Sequence, residues 1–154
     1  MTLSIIDRLL AIEEIKQLKA RYFRCVDTKD WQGFQSVFTS DANFDITDDV
    51  PGCVLAGADQ IVAAVGPALT GCTSVHHGHC PEIQVLSETT ASGIWAMEDM
   101  LRWTADSQYP NQTLHGYGHY VEEYRRVNGQ WQISSMKLRR LRVDVFPGTE
   151  RPTL

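Results

Sequence analysis

The hydrophobic period changes once along this chain, and that change restricts the fold more than any other feature. Up to Leu69 the apolar residues recur mainly at steps of three and four, and from Ser74 onward they recur mainly at every second position. Steps of three and four lay a stripe along a helix, whereas strict alternation covers one face of a strand. Helical patterns followed by strand patterns, rather than the two in turn, predict an α+β fold with an antiparallel sheet. Three helices ahead of four long strands predict a strongly curved sheet, closing a cone around the helices and leaving a hollow.

The first helix is predicted from Ile5 to about Asp27, with Ser4 and Asp7 forming a capping-box start and Ile5, Leu9, Ile12, Ile15, Leu18, Tyr22 and Val26 on its buried side. Asp30 caps a short second helix carrying Trp31, Phe34, Val37 and Phe38, and Gly57-Ala58-Asp59 opens a third with Ile61, Val62, Val65 and Leu69 inward. Short strands are expected at 42–47 and 53–56, and long ones at 74–86, 91–103, 114–126 and 131–145. Asn128-Gly129 is the hairpin signal between the last two. A chain of 154 residues suits one domain spanning 1–154, with a core at about 5–145. The Pro/Gly-rich tail at 146–154 is expected to cap a pocket mouth or to fray.

Composition removes several classes of function. With 43% apolar and 21% charged residues the chain has the make-up of a globular domain, and no apolar run approaches the ~20 residues of a bilayer span. The N-terminus lacks a basic segment ahead of its apolar residues, so no export signal is read and a cytoplasmic location is expected, with no membrane partner. A net charge of −5 argues against nucleic acid as a partner. The one basic run, Lys137 to Arg142, reads as a charged, solvated strand edge with a bulge where its alternation breaks. Cys25, Cys53, Cys72 and Cys80 form no Cys-x-x-Cys pair and are expected to be free thiols.

Polar residues on apolar faces are the candidate functional groups. The strand at 91–103 presents Trp95, Met97, Asp99, Leu101 and Trp103 on one face, a greasy stripe carrying one carboxylate. An ionised carboxylate there must be paired, hydrogen-bonded or protonated, so Asp99 is either a functional acid or a structural partner of a Tyr or Arg. Three imidazoles, His76, His77 and His79, stand within one short stretch; alternation sends His76 one way and His77 with His79 the other. His-x-His on one strand face can chelate a metal, but no third ligand of diagnostic spacing follows, so no metal is expected. His115, Tyr117 and His119 would share one strand face, since Gly116 and Gly118 oppose a helix there. Taken alone, Tyr22 reads as a core aromatic and Asp27 as a residue of the helix's last turn.

Ile12-Glu13-Glu14-Ile15-Lys16-Gln17-Leu18 leading to Tyr22 and Val26-Asp27, then Asp30-Trp31-Gln32-Gly33-Phe34, then Val75-His76-His77-Gly78, and finally Tyr124 to Ile133 form a recognisable series. In this order the chain resembles the SnoaL-like branch of the nuclear transport factor 2-like superfamily over nearly its whole length. The resemblance implies a cone-shaped α+β fold and a site. Asp27 and His76 match the Asp–His dyad of the hexachlorocyclohexane dehydrochlorinases, which carry a Lys where this chain has Tyr22. Tyr22, Asp27 and Asp99 match the bile acid 7α-dehydratases, and scytalone dehydratases are similar more loosely. It implies catalysis by His76 as base, Asp27 as its orienter, Tyr22 as donor and Asp99 as substrate holder or second acid, with no cofactor. Trp95, Met97, Trp103, Tyr117, His115 and His119 would contact a small hydrophobic cyclic substrate. Dehydration is the implied reaction; an isomerase or cyclase, or a silent binding or assembly module, are the alternatives. The branch commonly pairs through its sheet, so a homodimer or homotrimer is also implied.

Overall fold

The computed structural model describes residues 3–147. Helix α1 (Ile5–Thr28) and helix α2 (Trp31–Ser36) lead into strands β1 (Phe38–Asp45) and β2 (Val54–Ala56), then helix α3 (Ala58–Ala68). Strands β3 (Cys72–Val85), β4 (Thr90–Trp103), β5 (Thr113–Val127) and β6 (Gln130–Phe146) complete a six-stranded sheet of order β2-β1-β6-β5-β4-β3. The sheet is curved and unclosed, with the helices on its inner face. All neighbours run antiparallel except β1 and β6, which are parallel because the α3 connection returns the chain across the sheet. No helix among the described residues is long and apolar enough to cross a membrane. All but the first two residues of the 146–154 tail lie outside the described residues.

Local chemistry accounts for the element boundaries. Ser4 accepts the Asp7 backbone N–H at the start of α1, and Lys29 ends that helix in a left-handed conformation. Asp30 then caps α2 through the Gly33 N–H at 2.9 Å. Asn128 and Gly129, at φ 50° and 81°, make the tight turn of the β5–β6 hairpin.

Two expectations need correction. Ile5 and Leu9 are 77% and 61% exposed, and the buried side of α1 begins at Ala11. Strand β1 starts at Phe38 rather than at 42, since Phe38 already pairs with Ile133. The basic run lies in β6, where Lys137 pairs with Asp45 of β1 but the residues after it pair with β5 alone, so most of the run is a strand edge; the expected bulge is present, with Leu141 left unpaired as the register passes from Tyr117–Arg142 to Gly118–Arg140.

The core between α1 and the sheet holds a buried ion pair. Lys19 and Glu122 have fully buried side chains; the ammonium donates to Glu122 and lies 3.9 Å above the Tyr22 ring and 3.8 Å above the Tyr120 ring. Glu122 also accepts from the Tyr124 hydroxyl, which accepts from Trp95 Nε1 at 2.8 Å. Such a pair is held by completeness, since removing one partner strands the other charge away from water. Lys19→Met is expected to destabilise the fold by about 3–5 kcal/mol, and Lys19→Met/Glu122→Met to recover most of that loss, in urea denaturation.

Candidate active site

The site is built where the end of α1 meets the edge strand β3. Asp27 lies in the last turn of α1, where the helix dipole disfavours a negative charge. Strand β3 compensates by presenting three donors to one carboxylate. Ser74 Oγ donates to Asp27 Oδ1 at 2.9 Å, the His76 backbone N–H donates to Oδ2 at 2.9 Å, and His76 Nδ1 lies 2.6 Å from Oδ1. Lys29 extends the chain of bonds, donating from Nζ to Ser74 Oγ at 2.6 Å. Burial pushes the Asp27 carboxyl up, but the hydrogen bonds from His76 and Ser74 outweigh it and hold the group below its ordinary value. Burial pulls the Lys29 ammonium down, against the opposing pull of Cys72 and Asp27.

His76 therefore has one ring nitrogen committed to Asp27, while its Nε2 bonds to no described residue. Its side chain is 10% exposed and that of Asp27 22%, so the pair is sheltered yet reachable from solvent. Gly78 follows on the same face; a Cβ there would stand 2.7 Å from the Phe23 ring, so glycine is what lets α1 pack this closely beside the dyad.

Register sorts the other candidates by face. His76 pairs with Asp99, and Asp99 with Gly116, so these three share the inner face with Trp95, Met97 and Trp103. Trp95, Met97 and Trp103 are buried, and Trp103 Nε1 donates to Ala68 O at 3.0 Å, tying the end of α3 to the sheet. Tyr22 is 3% exposed within a cluster of Phe23, Phe34, Phe38 and Tyr120 rings. Burial and then the Glu122 charge push its phenol well above the ordinary tyrosine value, with smaller contributions from Asp99 and Asp27.

His115, Tyr117 and His119 do not line this face. They pair with Met100, Glu98 and Ala96 and stand on the outer side of the sheet. The expected grouping with Trp95 and Met97 is corrected because the inner positions of β5 are the even ones, Gly116, Gly118, Tyr120, Glu122 and Tyr124. The described clefts also lie elsewhere. The largest, about 870 Å³, is a surface groove lined by Gln35, Thr39, Asp41, Asp59 and Arg125 among others, and none of the described clefts shares a residue with the dyad.

Asp99 meets a partner that sequence reasoning missed. Arg140 grips it with both ends of the guanidinium, Nη1 to Oδ1 and Nη2 to Oδ2, each at 2.8 Å, and also bonds Asp49 from Nε at 2.8 Å. Of the two readings of Asp99, pairing with an Arg is the one observed. The available signal was the alternation itself, since Arg140 continues the inner set of Met136 and Leu138 ahead of the bulge at Leu141. Gly116 makes room for this fork, since a Cβ there would collide with Asp99 Oδ1 and Arg140 Nη1.

Residues 7–137 match the SnoaL-like domain. The chain belongs to the SnoaL-like domain family. Solved structures repeat the fold of this SnoaL-like protein. A Novosphingobium aromaticivorans protein described as a candidate scytalone dehydratase superposes with a TM-score of 0.81 at 20% identity, covering 92% of this chain and 91% of that one. A type 2 hexachlorocyclohexane dehydrochlorinase gives 0.80 at 19% identity, covering 98% and 100%. A Mycobacterium tuberculosis protein of unknown function gives 0.72 at 26% identity, covering 87% and 78%.

Two outcomes test this geometry. Because Asp27 is held below its unfolded value of 3.8, its contribution to stability is complete above that pH and is lost as pH falls through the folded-state value. Wild-type stability should therefore fall more steeply below pH 3.8 than that of Asp27→Asn, as read by acid-dependent urea unfolding. Gly116→Ala should cost about 1–3 kcal/mol by overpacking, and much less in an Arg140→Ala background where the fork is already gone.

Proposed function

We propose that this SnoaL-like protein is a lyase of the dehydratase type, acting without a cofactor on a small hydrophobic cyclic substrate. The observation that carries the reading is the His76–Asp27 bond, with Nδ1 held and Nε2 without a partner among the described residues. Asp27 fixes the ring so that Nδ1 carries the proton, and Nε2 presents a lone pair as general base. Nε2 takes a proton from carbon beside a carbonyl. The C–H pair becomes the new carbon–carbon double bond, and the hydroxyl on the next carbon leaves as water after receiving a proton. Asp27 stabilises the imidazolium that forms.

Tyr22 suits the donor role, because burial keeps its phenol protonated across the accessible pH range. Asp99, held through both oxygens by Arg140, stiffens the inner face beside the site, and Trp95, Met97 and Trp103 supply apolar surface there. Two solved structures of the same fold carry names of elimination chemistry, a scytalone dehydratase and a dehydrochlorinase, which supports the reaction class.

The test is turnover on a panel of hydroxylated cyclic ketones, with product mass as the readout. His76→Ala and Asp27→Asn should each lower kcat by about 10²–10⁴-fold, with loss of water in the wild-type product. Unchanged turnover in both variants would remove the dyad from the chemistry. Product of unaltered mass would replace dehydration by isomerisation.

A further inference from the structure

Five polar side chains that the dyad does not use stand together on the outer face of the sheet. Alternation along β3 points His77 and His79 away from His76, and register sets His77 opposite Glu98 on β4 and His79 opposite Ala96. The Glu98 carboxylate reaches between the two imidazoles, with Oε2 4.0 Å from His77 Nδ1 and 3.8 Å from His79 Nε2. One ligand atom from each of the three lies within 4.8 Å of the others. On β5, His115 Nε2 lies 2.6 Å from the other oxygen, Glu98 Oε1, and the Tyr117 hydroxyl lies 3.0 Å from His115 Nδ1.

We propose that His77, His79 and Glu98 form a binding site for a divalent transition-metal ion of the zinc class, with His115 as the positioning residue of Glu98. The donor atoms are nearly where an ion needs them. Around a tetrahedral zinc ion with bonds of ~2.0–2.2 Å the ligand atoms stand ~3.4 Å apart, a small closure from the spacing observed. His77 and His79 side chains are 49% and 56% exposed, so side-chain rotation alone can bring them in. The short Ala96 side chain beside His79 leaves the approach open.

Two nitrogens and one carboxylate oxygen select the metal class. Imidazole donors suit zinc, nickel and copper, whereas calcium and magnesium call for oxygen throughout. The hydrogen bonds behind the carboxylate are those of a supported ligand. The Glu98 carboxylate can only accept, so His115 Nε2 carries the proton that binds Oε1, and in the neutral ring Nδ1 then accepts from the Tyr117 hydroxyl. Oε2 is then left facing the two imidazoles. Outer partners of this kind orient metal-binding carboxylates and histidines and raise their affinity. Three protein ligands leave one position for water.

The site lies across the sheet from His76 and is independent of the proposed dehydration. The experiment uses tag-free full chain, stripped with chelator, titrated with Zn²⁺ by calorimetry and with Co²⁺ by absorption. One ion per chain is expected, with the thermal midpoint raised and Co²⁺ bands of tetrahedral or five-coordinate type. His77→Ala, His79→Ala and Glu98→Gln should each weaken Zn²⁺ binding by at least tenfold. His115→Ala should weaken it by about tenfold, and Cys80→Ser, an exposed thiol next in sequence, should leave it unchanged. Absence of saturable Zn²⁺ binding up to 100 µM would overturn the proposal, as would binding that survives His77→Ala/His79→Ala. Circular dichroism of each variant reports folding, and loss of the exposed His77 and His79 side chains is not expected to alter it.

Discussion

One carboxylate joins the helical and sheet halves of this protein. Asp27 occupies a helix end where the dipole opposes it, by about 0.3–1 kcal/mol in ordinary surroundings. Three donors from two residues of β3 reverse that preference. The same bonds dock the C-terminus of α1 onto an edge strand and hold the His76 ring at a defined angle. Structure and chemistry thus draw on one interaction, and the dyad comes as a consequence of how the helix is seated.

The other polar groups of the inner face are of a different kind. Lys19, Glu122, Tyr124 and Trp95 form a closed set, and so do Asp99, Arg140 and Asp49. Buried networks with every group partnered rigidify an interior. Each of these spends its hydrogen-bonding capacity on its neighbours. His76 stands apart because Nε2 has no partner among the described residues, which is what the proposed base requires. Two satisfied networks and one half-satisfied imidazole give the inner face its division between scaffold and chemistry.

Much of this could be read along the chain, and what could not has a physical cause. The four long strands and α1 were legible because their periods run over many residues, so errors at the ends fall within a residue or two. Alternation separated His76 from His77 and His79 without saying which faced inward, and the choice of His76 with its pairing to Asp27 came from family likeness rather than from any local pattern. Tyr117 was assigned to the wrong face because alternation says only which residues share a side, whereas the cross-strand register of β4 and β5 decides which side that is. Arg140 continues the alternation of Met136 and Leu138, but its place in a run of charges just ahead of a bulge made the stretch read as a solvated edge. The histidines of the outer face lacked a visible third ligand because Glu98 comes from the neighbouring strand, at a sequence distance no short motif spans.

The account rests on Asp27 dictating the tautomer of His76, and nitrogen-detected NMR of the labelled imidazole reads that directly. In the neutral ring, the proton is expected on Nδ1, with Nε2 showing the shift of an unprotonated nitrogen and the pattern lost in Asp27→Asn. A neutral His76 carrying its proton on Nε2 would leave no lone pair facing outward and would contradict the role assigned to the pair.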